Sequence, residues 1–209
     1  MTEQFEEVIT TRARLREFYG MPGHGSSKKV IDHIDDICRR FIAASPFVMV
    51  ATRGADGRPD ISPKGDLPGF VIVVDEKTLA IPDRPGNNRL DTFENLLVNS
   101  EVGLFFVVPG TGNTLRVSGQ GQIVRDRKLQ TAMKINGKPP KLVLVVRVEE
   151  AFMHCPKCMI RSGLWKNDQW PEGSNVPTHA EALIAHAALT ESVTTVQARI
   201  DKDVSTRLY

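Results

Sequence analysis

Four short stretches of the chain hold residue types that can do chemistry. In Asp60-Ile61-Ser62-Pro63-Lys64-Gly65-Asp66 a hydroxyl, an ammonium and an open backbone N–H stand close together. That set suits a phosphate or an electron-rich ring edge, although on residue types alone it is equally a solvated hairpin end. In Ile81-Pro82-Asp83-Arg84-Pro85-Gly86-Asn87-Asn88-Arg89 two arginines flank a Gly-Asn-Asn turn just ahead of an apolar helix. A helix start favours anions, and guanidinium forks match phosphate oxygens. The plainer alternative is that Asn87 and Asn88 cap the helix while Arg84 and Arg89 are solvated. In Arg116-Val117-Ser118-Gly119 strand alternation puts Arg116 and Ser118 on one face, toward a ligand, a partner subunit or water. His154-Cys155-Pro156-Lys157-Cys158 invites a zinc or redox reading. Structural zinc needs four ligands, usually from two such pairs, and only one pair is present. A redox pair needs a lowered thiolate pKa. Ordinary reduced thiols near a site or interface fit best, and no metal site is assigned.

These stretches need elements to position them. Val30, Ile31, Ile34, Ile37, Cys38, Phe41 and Ile42 share one face of a 3.6-residue period, which predicts a helix capped by Ser26 or Ser27, with Cys38 buried. A short helix and a mobile loop over Gly20–Ser27 precede it. Phe47–Thr52 and Arg58–Lys64 read as a hairpin around Gly54–Gly57. Leu67–Val74, Thr78–Ile81, Val102–Val108, Thr114–Val124 and Leu142–Val148 read as further strands. In Thr114–Val124 small and apolar Val117, Gly119, Gly121 and Ile123 alternate with polar residues. Helices are predicted over Arg89–Asn99, with Leu90, Phe93, Leu96 and Leu97 on one side, and over Arg127–Asn136, capped by Asp126. Thr178-His179-Ala180-Glu181 fits a capping box opening a last amphipathic helix. About six strands with short turns and few helices predict a mainly β protein with flanking helices, a small split β-barrel rather than βαβ units.

Length and charge narrow the function classes. The 209 residues carry 27 Lys+Arg against 25 Asp+Glu, a formal net charge of +2. That is far from the basic excess that coating nucleic acid requires. Apolar runs such as Val102–Val108 are too short to span a bilayer, and the polar, acidic start lacks a signal-peptide core, so a cytoplasmic protein without membrane or nucleic-acid partners is expected. Three cysteines make no disulfide framework. The expected organisation is an extension over 1–28, a domain over 29–190 including a C-terminal helix, and a tail over 191–209, with mobile or dimer-wrapping ends.

As an ordered set, the Ser45-Pro46-Phe47 lead into the first strand, Asp60–Gly65, Arg84–Asp91, Arg116–Gly119 and His154–Trp165 resemble the pyridoxamine 5′-phosphate oxidase-like superfamily of FMN-binding split barrels, most closely its branch of predicted flavin-nucleotide-binding proteins. The resemblance covers about residues 30–185. It implies a homodimer with FMN at the subunit interface. Ser62, Pro63, Lys64 and Gly65 would lie along the flavin or its phosphate. Arg84, Asn87, Asn88 and Arg89 would grip the phosphate. Arg116 and Ser118 would approach the flavin, with either chain as their source, and Trp165 would stand near the site mouth. No acid/base pair suited to hydrolysis stands out, so an FMN-dependent oxidoreductase of unassigned substrate is expected. Alternatives are a non-catalytic flavin-binding or flavin-sensing protein, or a barrel using haem or a deazaflavin. The late Arg-x-His pattern of a pyridoxal-phosphate pocket is absent, which argues against vitamin B6 oxidation.

Overall fold

Strand β6 (Thr114–Val124) shows how alternation builds the sheet. Leu115, Val117, Gly119 and Gly121 are buried, whereas Arg116 and Gln122 are exposed. Its neighbours are β5 (Glu101–Val107) and β7 (Val143–His154), both antiparallel. Outward from these lie β1 (Phe47–Arg53) and β2 (Pro59–Gly65) on one side, and β4 (Thr78–Pro82) and β3 (Ile72–Asp75) on the other. This computed structural model, which describes residues 5–173 and 176–209, thus holds one antiparallel sheet in the order β2-β1-β5-β6-β7-β4-β3.

The sheet has seven strands rather than six, and its edges β2 and β3 do not pair, so no barrel closes. The segment expected as a strand from Leu67 enters the sheet only at Ile72. The Asp66 carboxylate accepts the Leu67 N–H (2.8 Å), Phe70 N–H turns back to the Leu67 carbonyl (3.1 Å), and Gly69 takes a left-handed φ of 84°. A tight turn therefore occupies the residues between β2 and β3.

Glycines let β6 pack closely. A Cβ on Gly119 would overlap the Arg147 carbonyl, at the point where the β6–β7 register shifts. A Cβ on Gly121 would stand 2.9 Å from the Leu96 side chain of α4 (Asp91–Val98). The core joins Val48, Val50, Leu79, Ile81, Phe106, Leu115 and Val146 of the sheet to Ile34, Cys38, Ile42, Phe93 and Leu96. Each large apolar side chain so buried contributes about 1.5–3 kcal/mol.

The helix expected from Val30 begins later. α3 spans Asp36–Ala44, and its cap is Asp35, whose carboxylate accepts the Cys38 N–H at 2.8 Å. Ile31 belongs to the sheet side, exchanging backbone hydrogen bonds with Ala151 (3.0 and 2.7 Å). Cys38 is buried as expected, and burial, then Asp35, push its thiol pKa up to about 12. In α4 Phe93 and Leu96 are buried and Leu97 is exposed, while Leu90, also exposed, stands outside the helix, which starts two residues later than the apolar pattern suggests. α5 (Arg127–Ala132) is capped by Asp126 as expected but ends before Asn136-Gly137, which form a left-handed turn. α6 spans Lys157–Ser162. α7 (His179–Ala187) opens on the Thr178–Glu181 capping box. The tail carries a 15-residue helix, α8 (Val193–Arg207), which packs on α7.

Residues Met1–Val30 form a separate unit. Within it Thr11 caps α1 (Arg12–Tyr19), Arg14 pairs with Glu7 and Glu17, and its guanidinium lies 4.7 Å from the Phe18 ring centroid. The stretch expected as a loop contains a short helix, α2 (His24–Lys28). Among the described residues no helix is long and apolar enough to cross a membrane.

Candidate functional site

The edge strand β2 and the segment that follows β4 line one cavity of about 680 Å³. It therefore lies along the unpaired β2 edge of the sheet. β2 supplies Asp60, Ile61, Ser62, Pro63 and Lys64, and the whole β4–α4 connection, Asp83–Leu90, forms the adjoining wall. Six of the residues singled out in the sequence, Ser62, Lys64, Arg84, Asn87, Asn88 and Arg89, thus share one cleft with Pro63. Gly65, Arg116, Ser118 and Trp165 do not line it. Gly65 ends β2 opposite Phe47. Arg116 is exposed on β6 with its guanidinium 5.2 Å from the Phe152 ring centroid, a cation–π contact. Ser118 is half-buried two residues along on the same face. Trp165 donates its indole N–H to the Thr111 carbonyl at 2.7 Å, tying the loop after α6 to the β5–β6 hairpin. Cys155 and Cys158 are exposed, free thiols. Among the described residues no group of three or more His, Cys, Asp or Glu could hold a metal.

The two arginines are not equivalent. Arg84 is largely buried, and its Nε donates to Asp66 at 2.6 Å, with the Asp66 side chain wholly buried. This ion pair fixes the guanidinium and leaves its terminal nitrogens for an anion. Arg89 is 73% exposed and is engaged through Nε and Nη2 by Asp91 (2.7 and 3.3 Å). That pairing holds the Asp91 carboxyl below its usual range and raises the Arg89 guanidinium. Arg89 is therefore already neutralised locally.

The helix start also departs from expectation. Neither asparagine caps α4: Leu90 is the N-cap, in a left-handed conformation (φ 61°), with no side-chain cap. Asn87 Oδ1 instead accepts the Arg89 N–H (3.1 Å), and Asn88 is itself left-handed (φ 59°). Two non-glycine residues with positive φ in one short loop cost about 1–2 kcal/mol each. The loop holds this shape while leaving the asparagine amides of the cleft wall free of the helix end.

Sequence reasoning missed the far wall. It is made by Ile135, Lys138, Pro139, Pro140, Lys141 and Leu142, with Arg207 and Tyr209 of the tail. Antiparallel pairing of β4 with β7 sets Val143 opposite Pro82, and the Asp83 N–H continues the ladder to the Leu142 carbonyl (3.1 Å). This brings the α5–β7 loop beside Arg84. Gln130 pins that loop, donating to the Pro140 and Lys141 carbonyls (both 2.9 Å). The local signal was a Lys-Pro-Pro-Lys run after a Gly turn, but only long-range pairing places it.

Two acids in the wall complete the electrostatics. Burial raises the Asp83 carboxyl, and Lys64, Lys141 and Arg84 pull it partly back. Asp60 Oδ2 is buried without a hydrogen-bond partner among the described residues. An unmet buried acceptor costs about 1–3 kcal/mol and is uncommon, so it marks a place where a ligand donor is favoured. The cleft as a whole offers cations for an anionic group, asparagine amides, a hydroxyl and one unsatisfied acceptor.

Comparison with known proteins places the chain in a family. A family model described as pyridoxamine 5′-phosphate oxidase matches residues 34–155, more than half of the chain. No curated protein matches. Among solved structures, HupZ of Group A Streptococcus is similar at 25% identity, with 57% of this chain and 93% of that chain covered and a TM-score of 0.47. A Clostridium acetobutylicum protein related to general stress protein 26 of B. subtilis (pyridoxinephosphate oxidase family) is 21% identical, covering 56% and 84%, with a TM-score of 0.41. The FAD binding protein from Mycobacterium smegmatis is 13% identical, covering 59% and 97%, with a TM-score of 0.42. With the residues that line the cleft lying largely inside the matched span, the chain belongs to the pyridoxamine 5′-phosphate oxidase family.

Proposed function

We propose that the cleft binds FMN and that the protein is a homodimeric, FMN-dependent oxidoreductase acting on a small molecule. The observation that carries this reading is the convergence of Ser62, Lys64, Arg84, Asn87, Asn88 and Arg89 on one cavity, in a chain of this family. The donor set fits the group. Arg84, held by Asp66, and Lys64 suit a phosphate. Asn87, Asn88 and Ser62 suit a polyol or a ring edge, and the unsatisfied Asp60 oxygen suits a hydroxyl or N–H donor. A volume of about 680 Å³ lies in the range of small-molecule sites.

The bound flavin would supply reversible hydride and electron transfer. The protein's own residues bind and orient it. Arg84 and Lys64 neutralise its phosphate, the left-handed Asn88–Leu90 turn presents the asparagine amides, and Phe93 and Leu142 close the wall with apolar surface. Arg116, Ser118 and Trp165 then act from a second copy of the chain, since they do not line the cleft of their own. The test is FMN titration followed by a search for donors that bleach the bound flavin with turnover. Uptake with bleaching is expected. Uptake without turnover across nicotinamide and other donors would reduce the protein to a flavin-binding or flavin-sensing role.

One observation favours a second reading. Lys138 and Lys141 add cations on the far wall, beside Arg207, which is itself paired with Asp203 (2.9 Å). They suit a flavin with a longer anionic tail, such as a deazaflavin. Stronger binding of a deazaflavin than of FMN, read by its blue fluorescence, would select it.

A further inference from the structure

The last helix is weakly held along its length. Of α8, Val196 alone is buried, with Gln197 and Ile200 half-buried. A helix of 15 residues spans about 22 Å from its start to its end. That end is fixed by polar contacts at the cleft instead. The Tyr209 hydroxyl donates to Asp66 Oδ1 (3.0 Å), and Lys138 Nζ donates to the Tyr209 backbone oxygen (2.7 Å). Arg207 and Tyr209 both line the cavity.

The Asp66 contact links the tail to the proposed anion clamp. A wholly buried carboxylate requires compensating partners. Asp66 has three: the Leu67 N–H (2.8 Å), Arg84 Nε (2.6 Å) and the Tyr209 hydroxyl. One carboxylate therefore holds both the guanidinium expected to meet the ligand and the tail that walls the cleft. The cavity keeps about 680 Å³ with the tail in place, so the closed arrangement leaves room for an occupant.

We infer that Arg207–Tyr209 is a strap, latched on Asp66 and Lys138, that closes over the cleft and retains its ligand. Asp66 is a positioning residue, acting through Arg84 on one side and through Tyr209 on the other. Retention of FMN rests on the function proposed above; the latch does not. Bonding to Asp66 raises the Tyr209 phenol above its ordinary value, so it remains a donor throughout the neutral range.

The test uses the full chain and Tyr209→Phe, which removes one hydroxyl and leaves the ring and every cation in place. Trypsin cleavage after Arg207, read by intact mass, reports the latch without ligand. Release of FMN, read by recovery of flavin fluorescence after dilution, reports retention. Loss of a hydrogen bond to a carboxylate predicts about tenfold faster cleavage and about tenfold faster FMN release in Tyr209→Phe. Lys138→Met, on the other attachment, is expected to speed cleavage likewise. Equal cleavage of the variants and the unaltered protein would overturn the strap. So would faster cleavage with unchanged FMN release. If FMN is not taken up at all but the latch slows cleavage, the strap stands and the flavin reading falls.

Discussion

At the residue scale, Arg84 and Arg89 look alike in sequence and differ in the fold. Arg84 is buried against Asp66 with its terminal nitrogens unpartnered among the described residues, whereas Arg89 is exposed and spent on Asp91. Arg84→Ala is therefore expected to weaken FMN binding by about 1.5–3 kcal/mol, the worth of a charge-assisted hydrogen bond. Arg89→Ala is expected to weaken binding markedly less, because its guanidinium is exposed and already paired with Asp91. Titration by flavin fluorescence checks both, and equal losses would contradict the assignment. Asp83 gives a pH prediction. Its carboxyl is raised above the ordinary 3.8, so the folded state holds the proton more tightly than the unfolded one. The stability this provides is fully present below 3.8 and is lost as pH rises through the raised value. Asp83→Asn is expected to flatten that dependence, and to tighten binding of an anion by removing a like charge from the wall. Denaturant midpoints across mildly acidic pH read the first effect; an unchanged profile would contradict it. Much of the near wall was legible in sequence because Ser-x-Lys and the Arg-flanked Asn-Asn turn are local. Asp66, Lys138 and Tyr209 were not, because each acquires its place through a contact far along the chain.

At the element scale, β6 was readable to the residue, since alternation and buried glycines leave one solution. Gly119 tests that solution. A side chain there meets the Arg147 carbonyl, part of the β7 backbone, which cannot swing aside as a side-chain tip can. Gly119→Ala is expected to destabilise the fold by about 1–3 kcal/mol, measured by chemical denaturation. A neutral outcome would contradict the register described here. The helix boundaries were less legible, for a specific reason. Val30 and Ile31 continue the helical apolar period, yet Ile31 pairs with Ala151, and Asp35 outcompetes the earlier serines as cap. Leu90 likewise fits the stripe of α4, but a left-handed backbone takes it out of the helix. Hydrophobic period sees neither a distant bridge nor a positive φ.

At the scale of the whole molecule, the sheet that was expected to form a barrel stays open, and the cleft lies along its β2 edge, walled by the β4–α4 and α5–β7 connections. Openness follows from unpaired edges and not from any local pattern, which is why closure was misjudged while the β class was not; the seven strand segments themselves were each readable locally, and only their total was put at about six. The separation of Arg116, Ser118 and Trp165 from the cleft is explained if two copies share their sites. Exposed Leu90, Leu97, Val98 and Ile61 give apolar surface for that contact. Light scattering is expected to give twice the chain mass, and Leu97→Arg to shift it toward the monomer. Arg116→Ala is expected to weaken FMN binding in the dimer, while leaving the fold intact. A monomeric protein that binds FMN fully would contradict shared sites.

The most direct measurement is an absorbance spectrum of the purified protein after FMN is added and the excess removed, with any chromophore then released by heat and identified by chromatography. The expected result is a retained flavin spectrum and released FMN, largely lost in Arg84→Ala. A protein that stays colourless after FMN addition would contradict the assignment of the cleft as a flavin site.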